Sequence, residues 1–170
     1  MDRRDFLKAG LLSGGVLATG TTLYGCSDLK PVPSSTVISE EAILSLQALI
    51  PVFLSGMLPE NAEQRARIIN DVIADMELAI KKFPPHTQDE LQQLFEMLNN
   101  RLVVLAFVGK FAVVAELSTS QMVTLINAWR YNFVGLLNTA YAGLKELIFA
   151  AFYGSPDNWH LINYKKPMLG

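Results

Sequence analysis

One cysteine, Cys26, and two histidines, His86 and His160, stand in 170 residues. A lone thiol rules out an intrachain disulfide. The histidines lie far apart with no Cys or His at ligand spacing beside either, so this chain is expected to hold no metal on its own. No glycine-rich turn follows a strand-like run, and no phosphate loop is present, which removes the usual nucleotide folds. A serine nucleophile lacks its elbow motif. The acid pairs Asp71 with Asp75 and Glu40 with Glu41 occupy helix-surface or capping positions, where solvated charge is the ordinary role. Catalytic residues are therefore expected to be none. Fourteen Lys and Arg against sixteen Asp and Glu leave a net charge of −2, which offers nothing to a nucleic acid.

What is present is concentrated at the N-terminus. Arg3, Arg4, Phe6, Leu7 and Lys8 precede an apolar stretch from Ala9 to Leu23, and Leu23, Tyr24, Gly25 and Cys26 follow. The first group resembles a bacterial twin-arginine export signal, and the last resembles the lipobox at which lipoprotein precursors are cleaved and lipidated. The apolar stretch carries Gly10, Ser13, Gly14, Gly15, Thr19, Gly20, Thr21 and Thr22, and it is short against the roughly twenty apolar residues of a spanning helix. Residues 1–25 thus read as a removed signal peptide, with Cys26 as the lipid attachment point. The predicted location is the periplasmic side of a bacterial membrane, reached through the twin-arginine translocase and held by lipid.

Cleavage before Cys26 removes three basic and two acidic residues and leaves a net charge near −3. Ser27 to Ser35 mixes Pro31 and Pro33 with serines and shows no periodicity, so residues 26–38 read as a lipidated linker. Residues 39–170 suffice for one domain with a core of its own.

The domain reads as all-α, a bundle of about five helices. Ser39 offers an N-cap with Glu40 and Glu41 in the first turn, and Ile43, Leu46, Leu49, Ile50, Phe53 and Leu54 recur at helical spacing until Pro51 kinks or ends the helix. Residues 62–83 form the clearest amphipathic helix, with Ile69, Val72, Ile73, Met76, Leu78, Ile80 and Phe83 on its apolar side. Pro84 and Pro85 end it. Thr87 stands three residues before Glu90 in capping-box spacing, which predicts a third helix over 88–108. The apolar stretch from Leu102 to Leu117 is expected in the core with a break near Gly109, and its paired valines leave a strand as the alternative. Ser118 to Gln121 caps a helix that turns Met122, Leu125, Ile126 and Trp129 inward. The last helix, near 133–153, places Leu136, Leu137, Ala140, Tyr141, Leu144, Leu147, Ile148 and Phe152 along one stripe.

The C-terminal third carries a second resemblance. Trp129-Arg130-Tyr131-Asn132, Gly135, Tyr141, Leu144, the run from Phe152 to Trp159, and Asn163-Tyr164-Lys165-Lys166-Pro167 resemble the end of the small (gamma) subunits of membrane-associated, flavin-dependent sugar and polyol dehydrogenases. The gluconate and sorbitol enzymes belong to this group. The resemblance implies a helical, non-catalytic subunit that helps a large flavoprotein of the glucose-methanol-choline type mature and cross the membrane, and lipid on Cys26 would anchor the pair. It also places FAD in that partner, with no cofactor on this chain. Tyr153, Pro156, Trp159, Tyr164 and Pro167 are the partner-binding candidates, since aromatic rings give large contact area with few rotatable bonds. The alternative keeps these rings on the domain's own helices and makes the chain a free-standing helical lipoprotein, a periplasmic scaffold or chaperone.

Overall fold

Ser39 opens the first helix. Its Oγ accepts the Ala42 N–H at 3.2 Å, and Glu40 and Glu41 sit in the electropositive first turn. The computed structural model describes residues 37–164. The export-signal residues, the lipobox with Cys26, and Pro167 lie outside the described residues. Within them the fold is all-α, with six α-helices, two 3-10 segments and no strand.

Helix α1 spans Glu40–Phe53 and buries Ala42, Ser45, Leu46, Leu49 and Ile50. Pro51 falls in its last turn, where the missing N–H removes a single rung, and the Leu54 N–H still reaches the Ile50 carbonyl at 2.9 Å. Ile38, assigned above to the linker, is 1% exposed and belongs to the core. The packed domain therefore begins before Ser39.

Helix α2 spans Ala62–Ile80, capped by Asn61, whose Oδ1 accepts the Gln64 N–H at 3.0 Å. Ile69, Val72, Ile73, Met76 and Ile80 are buried, but Leu78 is exposed. It follows Met76 by two residues, some 200° around the helix, and so lies on the opposite face. Phe83 sits in the turn beyond the helix, partly exposed.

The expected capping box at Thr87 does not form. Helix α3, Pro85–Leu98, begins with Pro85 in its first position, and the Pro84 carbonyl accepts the N–H groups of Thr87 and Gln88. Proline suits that position because its fixed φ is helical and its missing N–H would have no partner there. The predicted helix over 88–108 is two helices. Helix α4 spans Arg101–Val108, and Asn100 caps it by accepting the Leu102 N–H at 2.9 Å. Asn99 at the break serves a different purpose, described below.

Gly109 ends α4 with φ of 76°, a left-handed conformation that favours glycine, and its N–H returns to Leu105. The expectation that Leu102 to Leu117 is core holds only in part. Val104, Ala112, Val114 and Leu117 are buried, whereas Leu102, Leu105 and Phe111 are exposed. Eight residues make a helix of about two turns, and α4 packs only along α3 and α5, so its outer side has no neighbour among the main helix contacts. A 3-10 turn at Val114–Glu116 leads into helix α5, Thr119–Arg130. Ser118 and Gln121 there form the reciprocal capping box.

Helix α6, Gly135–Gly154, buries Leu137, Leu144, Leu147, Ile148, Ala151 and Phe152. Leu136, expected inside, is 69% exposed. A 3-10 segment, Pro156–Ile162, closes the described chain.

Helix α1 is the hub: it packs against α2, α3, α5, α6 and the Val114–Glu116 turn. Its one buried polar side chain is Ser45, fully enclosed, whose Oγ donates to Asn99 Oδ1 at 2.6 Å. Asn99 Nδ2 in turn donates to the Phe95 carbonyl at 3.1 Å. The α3–α4 break is thus pinned to the middle of α1. Removing either side chain, by Ser45→Ala or Asn99→Ala, is expected to cost about 1–3 kcal/mol, because a desolvated partner is stranded. A double-mutant cycle by urea unfolding should give coupling of about 1 kcal/mol, and additive effects would show the pair to be independent.

Trp129 is 3% exposed, and its Nε1 has no hydrogen-bond partner among the described residues. Its role is therefore volume. Trp129→Ala should destabilise by about 3–5 kcal/mol, and Trp129→Phe by well under half of that. Equal losses in thermal unfolding would reveal a hydrogen bond through the indole.

Candidate functional site

Helix α6 ends at Gly154, and the chain turns back over its last two turns. Asn158, buried, donates from Nδ2 to the Phe152 carbonyl at 3.0 Å. Trp159 donates from Nε1 to the Tyr153 carbonyl at 2.7 Å. Two orphan carbonyls at the helix end are thereby satisfied by side chains. Trp159 and Tyr164 meet edge to face at 5.1 Å between centroids, and Tyr153 packs edge-on to Phe149 and Phe152 at 5.8 and 5.4 Å. The Tyr153 hydroxyl donates to Met57 Sδ at 3.2 Å.

The structure thus brings Tyr153, Trp159 and Tyr164 into one cluster built on the domain's own helix. The cluster is not sealed: Tyr153 and Tyr164 are 40% and 50% exposed. Pro156 lines a hollow of about 350 Å³ together with Asp75, Ala79 and Leu147.

A larger feature lies between α3 and α6. Leu91, Leu94 and Met97 from α3, with Leu136, Ala140 and Gly143 from α6, line an open groove of about 460 Å³. Thr87, Glu90, Gln93 and Thr139 set polar groups along it. The α3 positions fall at helical spacing, which aligns the apolar side chains in a row. Such a groove can take an apolar helix face or another apolar segment.

The sequence reading did not find this groove. Half of its apolar lining sits on α6, where Leu136 and Ala140 had been placed in the core stripe. A usable signal was the charge-free run between Arg130 and Lys145, longer than a core stripe needs.

The titratable groups offer little chemistry. His86 and His160 are both exposed, and no group of three metal-ligating side chains gathers among the described residues. Glu116 is held below the ordinary glutamate range by hydrogen bonding to Arg101, which donates to both carboxylate oxygens at 2.8 and 3.1 Å. Glu77 is lowered in the same way by Lys81, one helical turn on. Both are surface ion pairs that fasten local structure, the first tying the start of α4 to the turn before α5.

No family model matches the chain, and no curated protein or solved structure matches it either. The functional reading rests on its own residues.

A carboxyl whose folded pKa is depressed stabilises the fold above its unfolded pKa, and that stabilisation is lost as pH falls through the folded value. Arg101→Gln should therefore return Glu116 to the ordinary range in a carboxyl NMR titration. The stability difference from wild type should shrink as pH falls through the acid range. A Glu116 titration unmoved by the substitution would show that Arg101 is not its cause.

Proposed function

We propose that this chain is a non-catalytic small subunit that exports, matures and membrane-anchors a flavin-dependent dehydrogenase of the glucose-methanol-choline type. The observation that carries the reading is the open apolar groove between α3 and α6, on a domain whose N-terminus reads as an address for export and lipidation. A groove of this kind favours a partner surface, since exposed apolar area on a soluble domain is stabilised by being covered.

In this reading Arg3 and Arg4 engage the twin-arginine translocase, which carries folded cargo. The partner, loaded with FAD, seats an apolar segment against Leu91, Met97 and Ala140 and travels with the chain. Lipid on Cys26 then holds the complex on the periplasmic face, where more than one acyl chain secures it at roughly 0.8 kcal/mol per buried methylene. Substrate and electrons belong to the partner.

A second reading, a free-standing helical lipoprotein acting as scaffold or chaperone, is favoured by the C-terminal tail. Trp159 spends its only polar atom on the Tyr153 carbonyl, so the ring is part of the domain's own fold.

Capture of a C-terminally tagged chain from solubilised membranes separates the two. The first reading expects a large co-purifying protein with flavin absorbance, lost severalfold with Thr139→Arg, which crowds the groove from an exposed position. Replacing Arg3 and Arg4 by Lys should leave both proteins in the cytoplasm. Recovery of the chain alone, or export of the flavoprotein without the arginines, would sink the first reading.

A further inference from the structure

Charge is distributed unevenly along the domain. Residues 39–100 hold ten acidic and four basic side chains, whereas residues 101–144 hold three basic and one acidic. That acid, Glu116, is bound by Arg101, which leaves Lys110 and Arg130 as the charge this stretch presents. The same stretch supplies eight of the thirteen large apolar side chains exposed on the described surface, so apolar exposure and weak positive charge coincide.

The apolar exposure is heaviest in the turn between α5 and α6, which Arg130 adjoins. Phe133 is 97% exposed, and Tyr131, Val134 and Leu136 beside it are exposed as well. Asparagine side chains take up part of the turn's polar backbone: Asn132 Nδ2 donates to the Ala128 carbonyl, the Val134 N–H donates to Asn132 Oδ1, and Asn138 Nδ2 donates to the Arg130 carbonyl. Arg130, at its root, stacks its guanidinium over the Tyr131 and Tyr141 rings at 5.0 and 6.0 Å. Apolar tips, side-chain hydrogen bonds to the backbone and a cation at the base suit a shallow lipid contact, because each polar group paired within the protein lowers the cost of leaving water.

We propose that this turn is a membrane wedge. Phe133 and Val134 enter the boundary between headgroups and acyl chains of an anionic bilayer, and Arg130 stays level with the phosphates. Tyr131 suits the interface for its apolar ring and polar tip. Charge complementarity selects this occupant, since the acidic α1 to α3 part is repelled by the same surface and the domain is thereby oriented. The proposal rests on the lipid-anchor part of the reading above. Cys26 precedes Val37 by eleven residues, so lipid there keeps the domain within about 40 Å of the bilayer. Docking then becomes an intramolecular event, and a weak wedge is enough.

Because Cys26 is the sole cysteine, a thiol introduced into the lipidated chain is its only free one. An apolar nitroxide is placed on Phe133→Cys and, separately, on Asp71→Cys in α2, which is exposed. The purified lipidated chain is reconstituted in phosphatidylcholine vesicles with about 30% phosphatidylglycerol. Collisions with oxygen and with a water-soluble nickel chelate are then measured. The label at 133 should gain oxygen collisions and lose chelate collisions severalfold, while the label at 71 stays in water. Arg130→Glu, or about 0.5 M salt, should return the label at 133 toward water. Equal chelate access at both positions overturns the wedge and leaves the turn free for a protein partner. Spin–spin broadening of the 133 label at low protein density overturns it in favour of a second copy. A wild-type chain whose Cys26 reacts with a thiol reagent removes the tether and the proposal with it, whatever the flavoprotein capture returns.

Discussion

The domain is organised by the enclosure of one helix. Beyond the first turn of α1, only Leu44 is exposed before Phe53, and four other helices supply the cover. A helix covered on nearly every side must be apolar nearly all round, and any polar group it carries must find a partner inside. Ser45 is that group, and Asn99 is its partner. Asn99 is the C-cap residue of α3, so satisfying one hydroxyl in α1 also ties the α3–α4 break to the middle of that helix.

Enclosing α1 uses the apolar residues of the other helices unequally. α2 spends its stripe inward and keeps its charges outside, as a surface helix should. α4 and the N-terminal part of α6 carry more apolar side chains than the core can accept. Leu102, Leu105 and Leu136 are left outside, and α3 and α6 leave the groove open between them. A free domain gains nothing from such exposure, which is why the groove and the α5–α6 turn are read as places meant to be covered, one by protein and the other by lipid.

The C-terminal aromatics illustrate how one set of residues can serve two ends. Trp159 and Asn158 cap the carbonyls at the end of α6 and so hold the tail on the domain. Tyr153 and Tyr164 remain partly exposed at the edge of the same cluster. The structural role of Trp159 is settled by its hydrogen bond. The faces of the two tyrosines are still available to a neighbour.

Local chemistry was legible wherever it acts over one or two turns. Ser39 and Ser118 as caps, Gly109 as a terminator, and the inward stripes of α2 and α5 all follow from periodicity and from side chains that reach their own backbone. Leu78 was misplaced for want of a rotation angle, and Thr87 because Pro85 outcompetes a capping box for the start of the helix. The sequence by itself determined an all-α domain, the caps at Ser39 and Ser118, the stop at Gly109, and a charge-poor segment from Arg101 to Leu144. Only the tertiary structure decided which apolar residues in that segment are buried, because burial depends on how many neighbours a helix meets. Val104 and Leu102 are alike in chemistry and two residues apart, and packing puts one in the core and the other in water.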